Sequence, residues 1–482
     1  KKLVFEYDDN THSIKNVEVA EINDSRPSSI GDAIGYDYRG SFSASGNFKF
    51  GNWNLDFDGT FVSDDTFLRR FNLNDDTEIK SYLSLNRNWK NAQLEINSLH
   101  FSSLLPEKDG SEPLILPEIK FLWEPKKIIF GGISTIKLNS IGIIRKTDGN
   151  TYRISSSLDW NRNFIHESGS IFKLNMNFRG DLYNTSKKWT PNNSTRRLQS
   201  NPFGIDQNIY RLLPSISLEW RLPLKNTSSD TIIEPIIQLS YSSDDKKNYK
   251  IPNEDSIGFE LNSHNIFAKN RMPGLDLWEK GGRVNYGFKL SHFFNKEGIF
   301  TSTVGQSYKF KNPEFFDKGS GLEKKLSDFI VDILFKPNKE ITFSYRGRLD
   351  ENNIDLRRSE FDMLINYEKW GIRAGHVLLN NIEILNFEQQ RELRFASFIN
   401  ITERWLIQSA IRYDEISKKS LNNRISLVYI DDCISFEIGF RRKFSEYRDL
   451  KPSNSFMIKF NVFTFGGGTL NSSDRISKLW DN

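Results

Sequence analysis

The chain alternates between apolar and polar residues with a period of two. In SISLEWRL, Ile216, Leu218, Trp220 and Leu222 fall on one side, and Ser215, Ser217, Glu219 and Arg221 on the other. FKLNMNFR sets Phe172, Leu174, Met176 and Phe178 against Lys173, Asn175, Asn177 and Arg179. LDFDGTF and FEIGFRR repeat the pattern, with Leu55, Phe57 and Phe61 opposing Asp56, Asp58 and Thr60, and Phe436, Ile438 and Phe440 opposing Glu437, Gly439 and Arg441. Successive side chains of a strand point to opposite faces, so each segment reads as a strand with one apolar and one polar face. Such strands run from about residue 36 to residue 465. Short breaks at 50–53, 294–300, 335–341 and 367–371 join many of them, and longer polar linkers at 62–76, 185–208 and 243–280 separate others. This rhythm predicts an antiparallel meander with tight turns on one rim and loops on the other. At roughly 18–20 residues per strand and connection, the segment holds about 21–24 strands. No fixed repeat of about 40–50 residues is visible, which disfavours a propeller or solenoid.

Two all-β architectures share this pattern. A pair of soluble sandwiches would bury the apolar faces between sheets. A transmembrane barrel would turn them to lipid and keep the polar faces in a wet lumen. Three features favour the barrel. The alternation persists over some twenty strands, too many for one sandwich. Trp53, Trp89, Trp123, Trp220, Trp370 and Trp405 sit near strand ends, as an interfacial girdle requires. The polar face carries full charges.

Composition sharpens the picture. The 482 residues are 37% hydrophobic and 27% charged, yet 13% aromatic, with 38 Phe. A disordered chain lacks such rings, and no apolar run reaches the length of a transmembrane helix. The net charge of +4 comes from 66 basic and 62 acidic residues, without the clustered basic patch of a nucleic-acid binder. The chain starts KKLVFEYDD, with no initiator Met or targeting segment, and reads as processed or partial. The one cysteine, Cys433, can form no internal disulfide.

Nothing points to catalysis, a cofactor or a metal. His12, His100, His166, His264, His292 and His376 show no zinc or HExxH spacing. Asp56 and Asp58 simply share a strand face. The glycines of 465–469 precede no helix that would make a phosphate loop. Arg179-Gly180-Asp181, an adhesion-like tripeptide, reads as the chance end of a strand.

The most distinctive stretch is 253–287, a long loop crowded with charge, glycine and asparagine. It contains Asn253, Glu254, Asp255 and Ser256; Asn265, Ile266 and Phe267; Asn270, Arg271 and Gly274; then Asp276, Glu279, Gly281, Arg283, Tyr286 and Gly287. In this order the residues resemble the LptD family of lipopolysaccharide-assembly outer-membrane proteins, also called organic solvent tolerance proteins. Leu277 departs from the pattern, because many members have Arg there. VSDDTFLRRF (62–71), LPEIKF (116–121), FRGDLY (178–183), VGQSY (304–308), LRRSE (356–360) and DDCISFEIGFRRKF (431–444) are similar to other family stretches. The resemblance covers about residues 36–468 and looks closest to alphaproteobacterial members.

The resemblance implies the barrel portion of a transporter of the bacterial outer membrane, with about 22–26 strands expected here and 26 usual in the family. It also implies a preceding jelly-roll domain, which is not visible upstream of residue 36. Residues 1–35 then lead into the barrel, 36–465 form it, and 466–482 are a C-terminal tail. The implied function is insertion of lipopolysaccharide into the outer leaflet through a lateral seam; a porin or receptor channel for small solutes is the alternative. Implied partners are lipopolysaccharide, an LptE-like plug lipoprotein, outer-membrane lipid, and a periplasmic lipopolysaccharide bridge protein reached through the missing N-terminal domain. Family members pair cysteines near Cys433 with cysteines before the barrel, which implies the same for Cys433. The last strand, with Phe456, Ile458, Phe460 and Val462, would form one side of the seam. The long loop fits either an extended rim loop or one folded into the lumen. There Arg271 or Arg283 could pair with Glu279 or Asp276.

Overall fold

The structure is a computed structural model. It describes residues 2–5, 12–23, 38–65, 67–70, 76–104, 112–145, 149–186, 207–226, 228–244, 251–256, 260–294, 297–313, 316, 318–382, 387–431, 434–444 and 452–462. Twenty-four strands make one antiparallel sheet. The first eight are β1 (Lys2–Phe5), β2 (His12–Asn23), β3 (Tyr38–Phe50), β4 (Trp53–Val62), β5 (Glu78–Trp89), β6 (Ala92–Ser103), β7 (Leu114–Trp123) and β8 (Ile133–Ile144). Then follow β9 (Thr151–Ile165), β10 (Ile171–Thr185), β11 (Gln207–Arg221), β12 (Leu224–Lys225), β13 (Thr231–Ser242), β14 (Gly281–Phe294), β15 (Gly298–Lys309) and β16 (Phe329–Lys336). The last eight are β17 (Ile341–Leu349), β18 (Leu356–Asn366), β19 (Trp370–Ile382), β20 (Phe387–Asn400), β21 (Trp405–Asp414), β22 (Lys419–Ile430), β23 (Ile434–Lys443) and β24 (Ser453–Val462). A single helical turn, Phe67–Arg70, follows β4.

Each strand pairs with its chain neighbour. The two-residue β12 continues β11 along β13. Strands β1 and β2 extend the sheet ahead of residue 36, where the sequence reading began it. The longest connections share one rim, although others on that rim, such as 383–386 and 415–418, are short. Turns such as 51–52, 90–91 and 367–369 lie on one rim, and the long connections 63–77, 186–206, 243–280 and 310–328 lie on the other. Arg179-Gly180-Asp181 lies inside β10 and does not end it: the strand runs on to Thr185 and stays in register with β9 throughout.

The two faces are inverted relative to a soluble protein. Ile154, Phe178, Leu212, Ile216, Leu218, Ile237 and Leu239 are exposed, while Arg153, Asn175, Arg179, Asp181, Glu219, Gln238 and Asn285 are buried. A sandwich would bury the first set and expose the second. The fold is therefore a large antiparallel transmembrane β-barrel, apolar toward lipid and polar toward its lumen. Trp53, Trp89, Trp123, Trp220, Trp370 and Trp405 all adjoin the short-turn rim. Register sets Phe164, Phe172 and Trp220 side by side near that rim. This aromatic row marks one membrane interface.

Ile216 lies on the outer face between Trp220 and Tyr210. Ile216→Arg should destabilise the barrel by about 2–4 kcal/mol, the midplane cost of a lipid-facing cation. Denaturant titration of protein folded into vesicles measures it. A change near zero would mean that this face meets water.

Candidate functional site

The described part of the β13–β14 connection, 251–256 and 260–280, turns inward and lies along the inner wall from the end of β8 to β18. Its first anchor is Glu254. Arg145, just beyond β8, holds the Glu254 carboxylate through two hydrogen bonds of 3.0 and 2.5 Å, and Thr151 donates a third. Asn253 and Ser256 close a local turn by exchanging two hydrogen bonds of 2.9 Å.

The second anchor is Arg153 on β9. Its guanidinium meets Asp255 at 2.7 Å and Asp276 at 2.5 Å. The two aspartates also clamp the loop to itself. Asp276 accepts the backbone N–H groups of Glu254 and Asp255, and Asp255 accepts those of Leu275 and Asp276. The chain reverses between them at Gly274, which has φ +69; a Cβ there would collide with Asp255. Burial raises Asp276 to about 6, with Arg153 pulling it down and Asp255 pushing it up. For the less buried Asp255, burial also opposes the charge, but Arg153 and the backbone donors prevail and lower it.

A third set comes from β10 and β11. Arg179 and Arg211 share Asp181, at 2.8 and 2.5 Å. Both also donate to the carbonyl of Leu275, and Arg211 reaches that of Asp276 at 2.7 Å. Tyr183 donates to Asp276 at 3.0 Å. Arg179 lies over the ring of Trp278. Leu277, the departure from the family pattern, is buried beside it.

The far end of the loop is held by Glu279. It pairs with Arg271, with Arg283 at 3.4 Å and with Lys309 at 2.9 Å, all buried. Burial opposes its charge, yet these three cations hold its carboxyl well below the usual range. Asn270 accepts the N–H of Glu279, and Arg283 donates to the carbonyls of Ala268 and Lys269. Ile266 rests on the inner wall at Gly305, the register partner of Gly287, where a side chain would intrude. With Leu261, Leu322 and Ile330 it forms a small apolar cluster under the loop. Further on, Glu260 pairs with Arg358 of β18.

The structure brings Glu254, Asp255, Asn270, Arg271, Gly274, Asp276, Glu279 and Arg283 into one assembly. Arg271 and Arg283 take Glu279, and Asp276 takes Arg153. Gly281, with φ +85, opens β14. Tyr286 lies apart on the outer face, where it donates to Gln306 at 2.5 Å. The sequence reading missed Arg145, Arg153 and Arg211 on the wall side, and had Arg179 and Tyr183 only within the family-like stretch FRGDLY, with no partner named. Their one other trace was arginine on polar strand faces. Asp328, Asp350 and Glu351 also gather within 4.8 Å, the only such group among the described residues. Arg348, Arg357 and Lys324 pair with them in turn, so the cluster is already neutralised.

Strand β24 pairs with β23 alone and β1 with β2 alone; among the described residues no register joins β1 to β24. Phe456, Ile458 and Phe460 share one face of β24 and are 83%, 72% and 60% exposed. Val462 ends the strand. Cys433 lies outside the described residues.

Arg153→Ala would leave the buried Asp276 and the part-exposed Asp255 without their shared cation. It should cost about 3–5 kcal/mol, read by denaturant unfolding of the folded barrel. Lys120→Ala, in a half-exposed pair with Glu118 and Glu95, should cost about 0–1 kcal/mol.

Comparison with known proteins fits this barrel. The family model LptD, described as LPS transport system D, matches residues 37–405. An LPS-assembly protein LptD from Histophilus somni is 22% identical over 428 residues, covering 81% of this chain and 53% of that protein. A second, from Pectobacterium atrosepticum, is 21% identical over 229 residues, covering 43% and 29%. The chain thus spans about half the length of the first relative and less of the second. Among solved structures, the siderophore receptor PirA from Acinetobacter baumannii aligns with TM-score 0.44 at 9% identity, covering 88% of this chain and 75% of that one. PirA from Pseudomonas aeruginosa gives 0.42 at 11%, covering 89% and 76%. With its lipid-facing wall and its family match, this is a protein of the bacterial outer membrane, and the chain belongs to the LptD family.

Proposed function

We propose that this barrel is the membrane part of a translocon that inserts lipopolysaccharide into the outer leaflet. The cargo has an anionic sugar head and several acyl chains, and neither part crosses the wrong medium cheaply. A polar lumen hydrates the head, and an unpaired edge lets the tails leave sideways into lipid. The observation that carries this reading is β24: among the described residues it pairs with β23 alone, with Phe456, Ile458 and Phe460 exposed on one face. An edge strand needs a partner unless opening is its purpose. Pro452 immediately precedes the strand and donates no backbone hydrogen bond there. The role is transport without turnover chemistry.

The loop fills the lumen beside β8–β18, which leaves the lumen beside the other strands for an LptE-like plug lipoprotein. Delivery from the periplasm falls to a bridge protein, reached through a domain ahead of the barrel in the full-length protein. Cys433 is proposed to bond a cysteine of that domain, because the periplasm is oxidising. Thiol labelling of the native full-length protein should find Cys433 blocked until a reductant is added. A free thiol rejects the bond.

The test of the whole reading is depletion of the gene in its native host, with a photo-cross-linker at Ile458 in the complementing copy. New lipopolysaccharide should stall behind the outer leaflet on depletion, and the Ile458 probe should capture it. Unchanged surface lipopolysaccharide with reduced solute uptake would instead make this a porin or receptor channel.

A further inference from the structure

The connection between β7 and β8 differs from its neighbours on the short-turn rim. Most of the others are polar, as in Lys90-Asn91, His166-Glu167-Ser168 and Asn295-Lys296-Glu297, and Leu224 and Ile401 are single exposed apolar residues on two of them. This one reads Glu124-Pro125-Lys126-Lys127-Ile128-Ile129-Phe130-Gly131-Gly132. Its tip is a tight two-residue turn in which Ile129 and Gly132 exchange backbone hydrogen bonds of 3.3 and 2.9 Å. Phe130 and Gly131 are both left-handed, with φ 50 and 71. Turns of this kind favour Asn-Gly or Asp-Gly, and a phenylalanine there costs backbone energy. Phe130 is nevertheless 85% exposed and Ile128 67%. In water the sequence would give up both backbone ease and solvation.

The tip is fastened to the lipid-facing side of the wall. Trp160 shares its strand face with Ile154 and Leu158, which are exposed to the outside. Its indole donates to the carbonyl of Ile129 at 2.8 Å, and Gly132 sits against the ring so closely that a Cβ would overlap it. Arg162, on the same face, donates to the carbonyl of Phe130 at 2.8 Å and lies over the ring of Phe164. Phe164 begins the aromatic row Phe164, Phe172, Trp220. The tip therefore lies at the level of the belt, with the carbonyls of Ile129 and Phe130 satisfied by side chains. Backbone that enters a membrane must be satisfied in this way. Lys126 and Lys127 flank it and are exposed.

We propose that residues 128–130 are a membrane-interface anchor, seated in the leaflet at the short-turn rim, with Lys126, Lys127 and Arg162 meeting the phosphates of anionic phospholipid. Short turns face the periplasm in outer-membrane barrels, so this leaflet is the inner one. Apolar side chains, satisfied carbonyls and adjacent cations are what an interfacial segment needs. The anchor is separate from the transport reading and does not depend on it.

The test places 4-fluorophenylalanine at Phe130 in the full-length protein, in vesicles of phosphatidylethanolamine and phosphatidylglycerol. Dioxygen, which enters the bilayer, should relax the fluorine strongly, as it does at Phe178 on the outer wall; a water-soluble nickel chelate should act several-fold more weakly. Lys126→Glu with Lys127→Glu should shift the balance toward the chelate in these vesicles and not in neutral ones. Strong relaxation by the chelate at the unaltered tip would put it in water and overturn the proposal. Shielding that arises only when envelope proteins are added would assign the tip to a protein partner and overturn it as well. An identical response of the charge-reversed protein in both vesicles would remove the anionic headgroup from the site.

Discussion

Everything in this molecule follows from one constraint. Inside hydrocarbon, each backbone N–H and C=O needs a partner from the protein itself. An antiparallel meander meets that need strand by strand, and the unbroken registers of β9, β10 and β11 show how completely. Once the wall is a sheet with a period of two, one face must be apolar and the other is free to be polar. The sequence uses that freedom fully. Buried arginines, which would be ruinous on the outer face, line the inner one.

Those arginines would be costly unless paired, and the β13–β14 loop supplies the counter-charges. Glu254, Asp255, Asp276 and Glu279 each meet at least one buried cation, and Arg179 and Arg211 spend their remaining donors on loop carbonyls. Wall and loop are each electrostatically incomplete alone. A buried ion pair is weak evidence for net stability, since desolvation offsets much of the attraction. Its stronger effect is on specificity. A loop with four carboxylates facing matched cations has one way to sit, and loss of Arg153 leaves the buried Asp276 without its cation.

The period-two alternation made the strands legible, and the turns at 51–52, 295–297 and 337–340 were legible from their glycine, proline and asparagine. The loop itself was legible as a family pattern. Its lodging was not. Arg153 and Asp276 lie more than a hundred residues apart, and no local rule connects them. The within-loop partners of Glu279 were nameable because Arg271 and Arg283 stand close in the chain, whereas Lys309 enters only through the register of β15 on β14. Arg179-Gly180-Asp181 was misread for the same reason. A short motif on a strand looks accidental until Arg211 closes on it from the next strand.

The loop joins the inner faces of β8–β11 to those of β13–β18, so it works as a cross-beam inside a ring. A ring braced over one arc and open over the rest does not flex evenly. Among the described residues the loop reaches the wall from β8 to β18 and not the strands of the unbraced arc, β19–β24 and β1–β7. The strand edges with no mutual register lie in the middle of that arc. A wall tied to an inner brace on one side keeps its shape there and bends more readily elsewhere.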